Sequence, residues 1–372
     1  MKGCQQKVLK VIHGEITLPT FFPDGTNGIV RSLDFTDLNN IGVQGIVMNA
    51  YHLMRNPGTD VIKTLGGLHK FINWDRVILT DSGGFQIFSL IRENPKFGTI
   101  REEEIIFRPS SEKKITLTPE KCIQAQFNYG TDIMMSLDYC THPDDPYEVN
   151  KTSVESTIRW AKNSKKEYEN LVRIKYKDTE RRPLIFGIIQ GGNDKNLRRQ
   201  CAEALLEIGF NGYGFGGWPF DKKGNLVADI LKYTAELMPD DLPKYAMGIG
   251  KPENIVICAK MGYNLFDCVV PTREARHGKL YVFNTEDISL LDIEKENFYE
   301  NIFIRDKKYI RDDSTISDTC NCYCCRNFSR AYLHHLFDIE DCLASRLATI
   351  HNLYFYIELM NLIRERYFNG YL

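Results

Sequence analysis

The chain has 372 residues, of which 43% are hydrophobic and 26% charged, and its formal net charge is −2. This composition is typical of a globular protein with one large core, and it excludes binding to nucleic acid through a global positive charge, so that any such contact needs a local basic patch. No apolar run is long enough to span a bilayer, and the N-terminal stretch lacks the apolar core of a signal peptide, so we expect a cytoplasmic protein. With no export signal, the eleven cysteines favour thiols or a bound metal over disulfides.

Strand-like and helix-like segments alternate along most of the chain. Residues 8–22 predict a β-hairpin with its turn at His13-Gly14. Short apolar runs then predict strands at 44–48, 77–80, 133–137, 184–189, 209–215, 244–249 and 264–270. Amphipathic stretches between them predict helices, among them 119–129, 149–171 and 195–208. This order predicts a parallel sheet closed into a (β/α)8 TIM barrel, and the charged segment 92–120 predicts an exposed excursion from it.

Acids, amides and glycines follow the predicted strands at the point where each strand ends. They include Asp81-Ser82-Gly83-Gly84, Asp138, Gln190, Gly216-Gly217, Gly248 and Asp267. One such residue alone is well explained as a helix cap or a turn glycine. Their repetition at the same end of successive strands favours an active site there, because (β/α)8 enzymes carry their chemistry at the C-terminal ends of the strands.

Two of these residues, Asp81 and Asp267, are carboxylates on separate strands that face one pocket in the predicted barrel. Such a pair suits glycosidic chemistry, in which one carboxylate attacks the anomeric carbon and the other transfers protons. Pro271 ends the second strand, and Arg273 and Arg276 follow in what we predict to be a loop. Arginines at that place suit a substrate that carries phosphates.

The same rim carries groups suited to a guanine-like base. Asp138 and Gln190 supply acceptors for its ring N–H and exocyclic amino group, and Gly217 adds a further contact. Phe85 and Met247 could sandwich the flat ring.

A dense cysteine cluster lies near the C-terminus. Cys320, Cys322 and Cys325 lie within six residues, and the candidate fourth ligands are His334, His335 and His351. Three thiolates and one imidazole would fill a tetrahedral Zn2+ site with no open position, so we expect a structural zinc. Cys324 adjoins Cys325, and we expect its side chain to point away. The alternative is a set of free buried cysteines.

Taken together, these motifs make the sequence similar to the tRNA-guanine transglycosylases, the queuine tRNA-ribosyltransferases. The matching pieces, in family order along nearly the whole chain, are Asn49-Ala-Tyr-His-Leu53, Thr80-Asp-Ser-Gly-Gly-Phe-Gln86, Phe186-Gly-Ile-Ile-Gln-Gly191, Met247-Gly-Ile-Gly-Lys-Pro252, Phe266-Asp-Cys-Val-Val-Pro-Thr-Arg273, Ala275-Arg-His-Gly278, the three cysteines, Ser329-Arg-Ala-Tyr-Leu-His-His335 and Thr349-Ile-His-Asn-Leu353.

The resemblance implies a fold and a reaction. It implies a barrel with its N-terminal hairpin at 1–285, a zinc-binding subdomain at 286–350 and a C-terminal helix at 351–372 that packs back on the barrel. It favours His351 as the fourth zinc ligand. It also implies that guanine at the wobble position of tRNA is exchanged for a 7-deazaguanine, preQ1 or queuine, by a homodimer.

The resemblance also implies a role for each site residue. Asp267 would be the nucleophile on ribose C1′ and Asp81 the general acid/base. The base-binding residues would be Ser82, Gly83, Gly84, Phe85, Asp138, Gln190, Gly217 and Met247. The anticodon loop would be held by Gly248, Lys251, Asn254, Thr272, Arg273 and Arg276. The target nucleotide would be splayed out to reach the two acids.

Two positions depart from the family pattern. After Gly217 the chain continues Trp218-Pro-Phe-Asp-Lys222, where bacterial members usually have a small apolar segment and a Glu, and Phe85 stands where Tyr is common. Both changes border the predicted base pocket, so they bear on which 7-deazaguanine is used. Two other functions compete with the exchange reaction: a non-catalytic RNA-binding partner subunit, and a barrel glycosidase acting on free carbohydrate or nucleoside.

Overall fold

A computed structural model describes residues 7–108, 114–177 and 181–368. The strands of these ranges are β1 (Lys7–Val11), β2 (Gly14–Leu18), β3 (Thr20–Pro23), β4 (Gly45–Met48), β5 (Val77–Thr80), β6 (Gly98–Ile100), β7 (Ile105–Phe107), β8 (Ile115–Leu117), β9 (Ile133–Met135), β10 (Leu184–Ile189), β11 (Gly212–Phe215), β12 (Lys244–Ala246), β13 (Leu265–Cys268), β14 (Lys279–Phe283) and β15 (Tyr299–Phe303).

The helices of the same ranges surround and extend the strands. They are α1 (Phe35–Ile41), α2 (Ala50–Arg55), α3 (Thr59–Thr64), α4 (Leu68–Ile72), α5 (Gly84–Glu93), α6 (Pro119–Tyr129), α7 (Tyr147–Lys175), α8 (Lys195–Ile208), α9 (Ala228–Leu237), α10 (Pro252–Lys260), α11 (Val270–Arg276), α12 (Tyr323–Asn327), α13 (Arg330–Asp338) and α14 (Cys342–Ile363). None of these described helices combines the length and apolar composition needed to cross a bilayer.

Eight parallel strands form the barrel and confirm the predicted (β/α)8 fold. Their order is β3-β13-β12-β11-β10-β9-β5-β4, and a bridge between Asp24 and Val47 joins the two ends of the sheet. Strand β3 pairs with β13, the last barrel strand, on one side and meets β4 through this bridge on the other. The ring of eight strands is therefore closed. The barrel strands are short and mostly buried, as expected for strands covered by helices on the outside.

The predicted N-terminal hairpin is correct only in its first part. Strands β1 and β2 pair antiparallel from Lys7–Leu18 to Val11–Gly14, but residues 20–23 leave the hairpin and become the first barrel strand. Pro19 separates the two because proline has no N–H to donate to a ladder. The hairpin instead covers the N-terminal end of the barrel, where Val11 and Ile16 pack with the interior residues.

Alternation along the strands decides which side chains enter the barrel. Interior residues one layer below the C-terminal mouth include Phe22, Val47, Leu79, Tyr245 and Leu265, which pack into one buried cluster. Because successive side chains in a strand point to opposite faces, the residues two positions further on also face inward. These residues are Asp24, Asn49, Asp81, Met247 and Asp267. At Gly45 a Cβ would overlap the Phe22 ring, so glycine is needed there to admit this aromatic side chain.

The segment that carries Arg273 and Arg276 is a helix and not the predicted loop. Strand β13 ends at Cys268, and α11 begins at Val270 with Pro271 in its first turn. Proline is tolerated there because the first turn of a helix needs no N–H donor. Arg273 and Arg276 therefore lie on one short helix at the mouth of the barrel.

The excursion after β5 contains a small antiparallel sheet, β6-β7-β8, although residues 109–113 lie outside the described ranges. Its middle strand is buried, so this segment is more than the exposed excursion that we predicted.

The predicted division of the chain into a barrel, a zinc-binding subdomain and a C-terminal helix, with boundaries after residues 285 and 350, stays a prediction. The β14–β15 ladder crosses the first of these boundaries, and α14 continues through the second.

Candidate active site and metal cluster

Asp267 lies near the end of β13, and only one of its two carboxylate oxygens accepts hydrogen bonds from the described residues. Its Oδ1 accepts hydrogen bonds from the Tyr245 hydroxyl at 2.7 Å and from the Gly248 N–H at 2.9 Å. No donor from the described part of the chain reaches Oδ2. Burial raises the pKa of Asp267 to about 6, and the charge of Asp24 acts in the same direction. The carboxylate is thus held rigidly by one oxygen while the other remains available to a substrate.

Asp81 follows β5 and has a fuller set of hydrogen bonds. Its Oδ1 accepts from the N–H groups of Ala50 at 2.8 Å and Gly83 at 2.9 Å, and its Oδ2 accepts from Asn49 Nδ2 at 2.7 Å. Burial nevertheless raises the pKa of Asp81 to about 7, and the charge of Asp267 adds to this rise. The two acids are therefore close enough to influence each other across the mouth of the barrel.

These two pKa values separate the roles that the acids can play near neutral pH. At pH 7, a carboxyl group with a pKa of about 6 is mostly ionised, whereas one with a pKa of about 7 is half protonated. An ionised carboxylate can act as a nucleophile, and a group that titrates near the working pH can both donate and accept a proton. The environments favour Asp267 for the first role and Asp81 for the second.

The glycines after Asp81 shape the approach to it. Gly83 has φ of +75° and donates its N–H to Asp81, while Gly84 begins α5 and donates to Ser82 Oγ at 3.2 Å. A Cβ at Gly83 would lie 2.9 Å from the backbone nitrogen of Tyr51, which leaves no room for a side chain. The turn thereby brings backbone and the small Ser82 beside the acid.

Asp138 and Gln190 form a buried pair just after β9 and β10. Gln190 Nε2 donates to Asp138 Oδ2 at 2.6 Å, and burial raises the pKa of Asp138 to about 6. Gln190 Oε1 is buried and has no hydrogen-bond partner among the described residues. An orphaned buried acceptor is costly, so this oxygen indicates a position where a bound ligand supplies a donor. A Cβ built on Gly217 would lie 3.6 Å from the same oxygen, so Gly217 borders that position.

Aromatic side chains stand at the entrance to this pair. Phe85 is 46% exposed, and its ring centroid lies 5.8 Å from that of Trp218. Trp218 also meets His142 edge-on at 5.5 Å, and Lys222 bonds to Asp144 at 2.8 Å, which joins the loops after β9 and β11. Beside Trp218 lies a cavity of about 310 Å3. Its polar lining includes Asp145, Asn150, Asp194 and Arg198.

The predicted RNA-binding residues differ in their accessibility. Lys251 and Arg273 are exposed, whereas Asn254 and Thr272 are buried. Arg276 is half-buried, and its Nη1 has no hydrogen-bond partner within the described ranges. Burial lowers the pKa of Arg276, and the neighbouring charge of Arg31 adds to this effect. The surface that this rim offers to phosphates is therefore provided mainly by the lysine and the arginines.

The four predicted zinc ligands come together. His351 Nδ1 lies 3.6 Å from Cys320 Sγ, 3.7 Å from Cys322 Sγ and 3.2 Å from Cys325 Sγ. All four ligand atoms lie within 4.8 Å of one another, which is the spacing of a group that can hold a metal ion. His351 Nε2 lies 2.8 Å from the carbonyl oxygen of Tyr281, and donation to it would leave Nδ1 unprotonated to face the thiols. His334 instead bonds to the carbonyl of Ile304 and lies outside the group.

Helix α14 connects this cluster to the mouth of the barrel. Next to His351, Asn352 donates to the carbonyls of Pro271 and Lys279, each at 3.0 Å, and accepts from the N–H of Tyr281. One turn later, the Tyr356 hydroxyl donates to the carbonyl of Gly250. Helix α14, which carries His351, therefore supports both α11 and the loop after β12.

A second set of metal-ligand types lies at the opposite end of the barrel. His13, His69 and Asp132 also have ligand atoms within 4.8 Å of one another. The two imidazole rings stack at 3.5 Å and each directs a nitrogen at the Asp132 carboxylate. The Asp132 carboxylate also accepts from the backbone N–H groups of His13 and Ile78, so we interpret this set as a hydrogen-bonded structural group.

Several residues of the mouth escaped the sequence analysis. Tyr245 and Asp24 were not predicted, and the Gly248 N–H turns toward Asp267. Asn49 was part of a matching motif without an assigned role. The alternation of inward residues along β3 and β12 is the signal that could have identified Asp24 and Tyr245.

The fold and the paired acids define a (β/α)8 barrel whose mouth suits glycosyl transfer, and the Cys3His group can hold a metal ion. Residues 5–372 match the family model described as queuine tRNA-ribosyltransferase, and the chain belongs to that family. It is 42% identical over 359 residues to the queuine tRNA-ribosyltransferase of Caldanaerobacter subterraneus subsp. tengcongensis, covering 96% of this chain and 88% of the relative. It is 42% identical over 356 residues to that of Psychrobacter sp. (95% and 87% covered) and 38% identical over 374 residues to that of Staphylococcus haemolyticus (98% and 90%).

Proposed function

We propose that this enzyme exchanges guanine at the wobble position of tRNA for a 7-deazaguanine through a covalent ribosyl-aspartate intermediate. The observation that carries the proposal is the pair Asp81 and Asp267 at one mouth, of which Asp267 has an oxygen with no donor among the described residues. Membership of the family supports the overall reaction. The roles of individual residues follow from their contacts.

The first half of the reaction breaks the bond between ribose C1′ and N9 of guanine. Asp267 Oδ2, the oxygen without a protein donor, attacks C1′ and forms the new C–O bond. Protonated Asp81 gives its proton to the departing base and becomes ionised. Tyr245 and Gly248 keep the nucleophile oriented through its other oxygen.

The second half reverses these movements with a new base. Ionised Asp81 takes the proton from N9 of the incoming 7-deazaguanine, whose nitrogen then attacks C1′ and releases Asp267. Asp138 and the orphaned Gln190 Oε1 accept hydrogen bonds from the guanine-like edge, with Gly217 alongside. Phe85 and Met247 contact the faces of the ring, and the Ser82–Gly84 turn lies beneath it.

RNA would reach this mouth along its cationic side. Arg273, Arg276 and Lys251 bind backbone phosphates, while Gly248, Asn254 and Thr272 hold the loops and helices that carry these cations. The wobble nucleotide is splayed out of the anticodon loop so that C1′ meets Asp267.

The incoming base is preQ1 or queuine. The cavity beside Trp218 supports queuine as a candidate, because it offers polar groups and space next to Gly217 for a large 7-substituent. The shorter aminomethyl group of preQ1 needs less of this space. Both bases share the edge that Asp138 and Gln190 would bind.

The test is incorporation of labelled guanine into an anticodon stem-loop by the isolated chain. We expect incorporation into a stem-loop with a wobble guanine and none into the same stem-loop with adenine there. Competition with preQ1, preQ0 and queuine then ranks the bases. Failure to incorporate guanine or any 7-deazaguanine would favour a non-catalytic partner subunit, and activity on a free nucleoside would favour a simple glycosidase.

We further propose that Cys320, Cys322, Cys325 and His351 bind a structural Zn2+ and that the enzyme is a homodimer. Cys322→Ala should release the metal, and Cys324→Ala is the matched control because this buried neighbour lies outside the group. Zinc content measured by atomic emission would contradict the ligand set if Cys322→Ala retained a full equivalent. Light scattering of the purified protein tests the dimer.

A further inference from the structure

A third carboxylate, Asp24, lies at the mouth of the barrel and has no part in the mechanism above. Strand β3 pairs with β13 so that Phe22 is level with Asp267, and Phe22 faces the barrel interior. By alternation Asp24 faces inward one layer higher, beside the nucleophile. Its charge acts to raise the pKa of both Asp267 and Asp81. Among the described residues its side chain is bonded by the Thr26 hydroxyl.

The order of the strands shows which part of a substrate Asp24 would meet. The proposed base-binding residues Asp138, Gln190 and Gly217 follow β9, β10 and β11, and β10 lies opposite β3 in the ring of eight. A base that extends from Asp267 toward β10 leaves its sugar on the side of β3. The positions of two arginines are consistent with a sugar and its phosphates on this side of the mouth, because Arg31 follows β3 and Arg276 follows β13.

A carboxylate at this place repels phosphates, so its favourable partner must be a hydrogen-bond donor. In a nucleotide inside an RNA chain the 3′ and 5′ oxygens are esterified, and the 2′-hydroxyl is the only sugar group with a proton to donate. We propose that Asp24 accepts a hydrogen bond from the 2′-hydroxyl of the target nucleotide and makes the enzyme selective for RNA over DNA. This inference depends on the proposed exchange reaction.

The contact should act mainly during the chemical step. In glycosyl transfer through a carboxylate nucleophile, hydrogen bonds to the hydroxyl next to the anomeric carbon strengthen in the transition state. A hydrogen bond to a charged acceptor corresponds to about 10- to 100-fold in rate. Asp24 thus contacts the substrate directly, and its loss should lower kcat more than it raises KM.

The experiment compares two stem-loops that differ only by a 2′-deoxy substitution at the target nucleotide. Wild-type enzyme should lose about 10- to 100-fold in kcat on the deoxy substrate. Asp24→Ala should show the same loss on the all-ribose substrate and no further loss on the deoxy substrate. Asp24→Asn, which keeps an acceptor oxygen, should restore part of the difference, and the exposed Asp241→Asn should behave as wild type.

Other outcomes would overturn the inference and leave the exchange reaction standing. An undiminished deoxy penalty in Asp24→Ala means that Asp24 does not contact the 2′-hydroxyl. An altered preference between preQ1 and preQ0 together with that undiminished penalty would place Asp24 against the 7-substituent. If neither stem-loop is a substrate for wild-type enzyme, the proposed function itself fails.

Discussion

The two ends of the barrel hold buried aspartates in opposite ways. Asp132 lies at the N-terminal end, where burial acts to raise its pKa but hydrogen bonds from His13 and His69 outweigh it, so that the pKa lies below its ordinary value. Asp267 and Asp81 lie at the C-terminal end, where burial dominates and their pKa values are raised. The ionised form of the aspartate side chain is therefore stabilised at the N-terminal end of the barrel and destabilised at the C-terminal end.

The hydrogen-bond donors account for the contrast between Asp132 and Asp267. The two oxygens of Asp132 accept from the His13 N–H, the Ile78 N–H and the two imidazoles, with distances of 2.9 to 3.2 Å. Asp267 has two donors on one oxygen and none from the described residues on the other. The open oxygen of Asp267 marks a position that a substrate can take, whereas the donors on both oxygens of Asp132, two of them imidazoles, suit a structural acid.

Asp267→Asn should produce the largest effect at the catalytic end. The amide keeps an oxygen for Tyr245 and Gly248 but removes the nucleophile, so base exchange should fall by at least about 1000-fold. Denaturing gels should show no covalent RNA adduct with the variant. The exposed Asp241→Asn is the control, and a persistent adduct in Asp267→Asn would reassign the nucleophile.

Asp132→Asn should produce the largest effect at the structural end. The substitution places an amide N–H2 group against donors that now bond to a carboxylate, so the free energy of unfolding should fall by about 2–4 kcal/mol. Denaturant unfolding near pH 7 measures this, with Asp241→Asn again as the control. A loss of less than about 0.5 kcal/mol, as for an ordinary surface change, would remove the contrast between the two ends.

Asp267→Asn should also stabilise the fold while it abolishes activity. The folded-state pKa of about 6 lies above the ordinary value of 3.8, so the folded protein binds more protons and wild type loses stability as pH rises from about 4 through 6. The variant avoids this loss and should be more stable by roughly 1–3 kcal/mol above pH 7, with a smaller gain at pH 4. Equal thermal midpoints for the two proteins at pH 8 would contradict the raised pKa.

The pH dependence of exchange should show the smallest effect. The reaction needs ionised Asp267 and protonated Asp81, so kcat/KM should rise through about pH 6 and fall above about pH 7. The two acids interact, so these limits belong to the pair. Initial rates from pH 5 to 9 measure the profile, and a flat profile would separate the acids from the rate-limiting chemistry.

Much of the fold could be predicted because buried parallel strands leave apolar runs that polar residues and glycines interrupt. The run at 184–189 was placed correctly at both ends. The barrel strand at 20–23 was missed because it continues directly from a hairpin, and only tertiary pairing with β13 separates the two. Pro271 was taken to start a loop, although proline suits the first turn of a helix equally well.

The site was less accessible to sequence reasoning than the fold. The four Cys and His residues could be grouped because their chemistry is distinctive, and their spacing in space agrees with that prediction. Asp24 and Tyr245 carry no motif, and their relevance depends on which strands are neighbours in the closed ring. The roles assigned to the base- and RNA-binding residues remain predictions.

The pairing of β3 with β13 also has a consequence for biosynthesis. The last barrel strand to be synthesised is the one that carries Asp267, and its partner β3 was synthesised some 245 residues earlier. A nascent chain that ends before residue 265 lacks both this last barrel strand and the carboxylate that we propose as the nucleophile. An emerging polypeptide therefore cannot begin to modify RNA before its cylinder is complete.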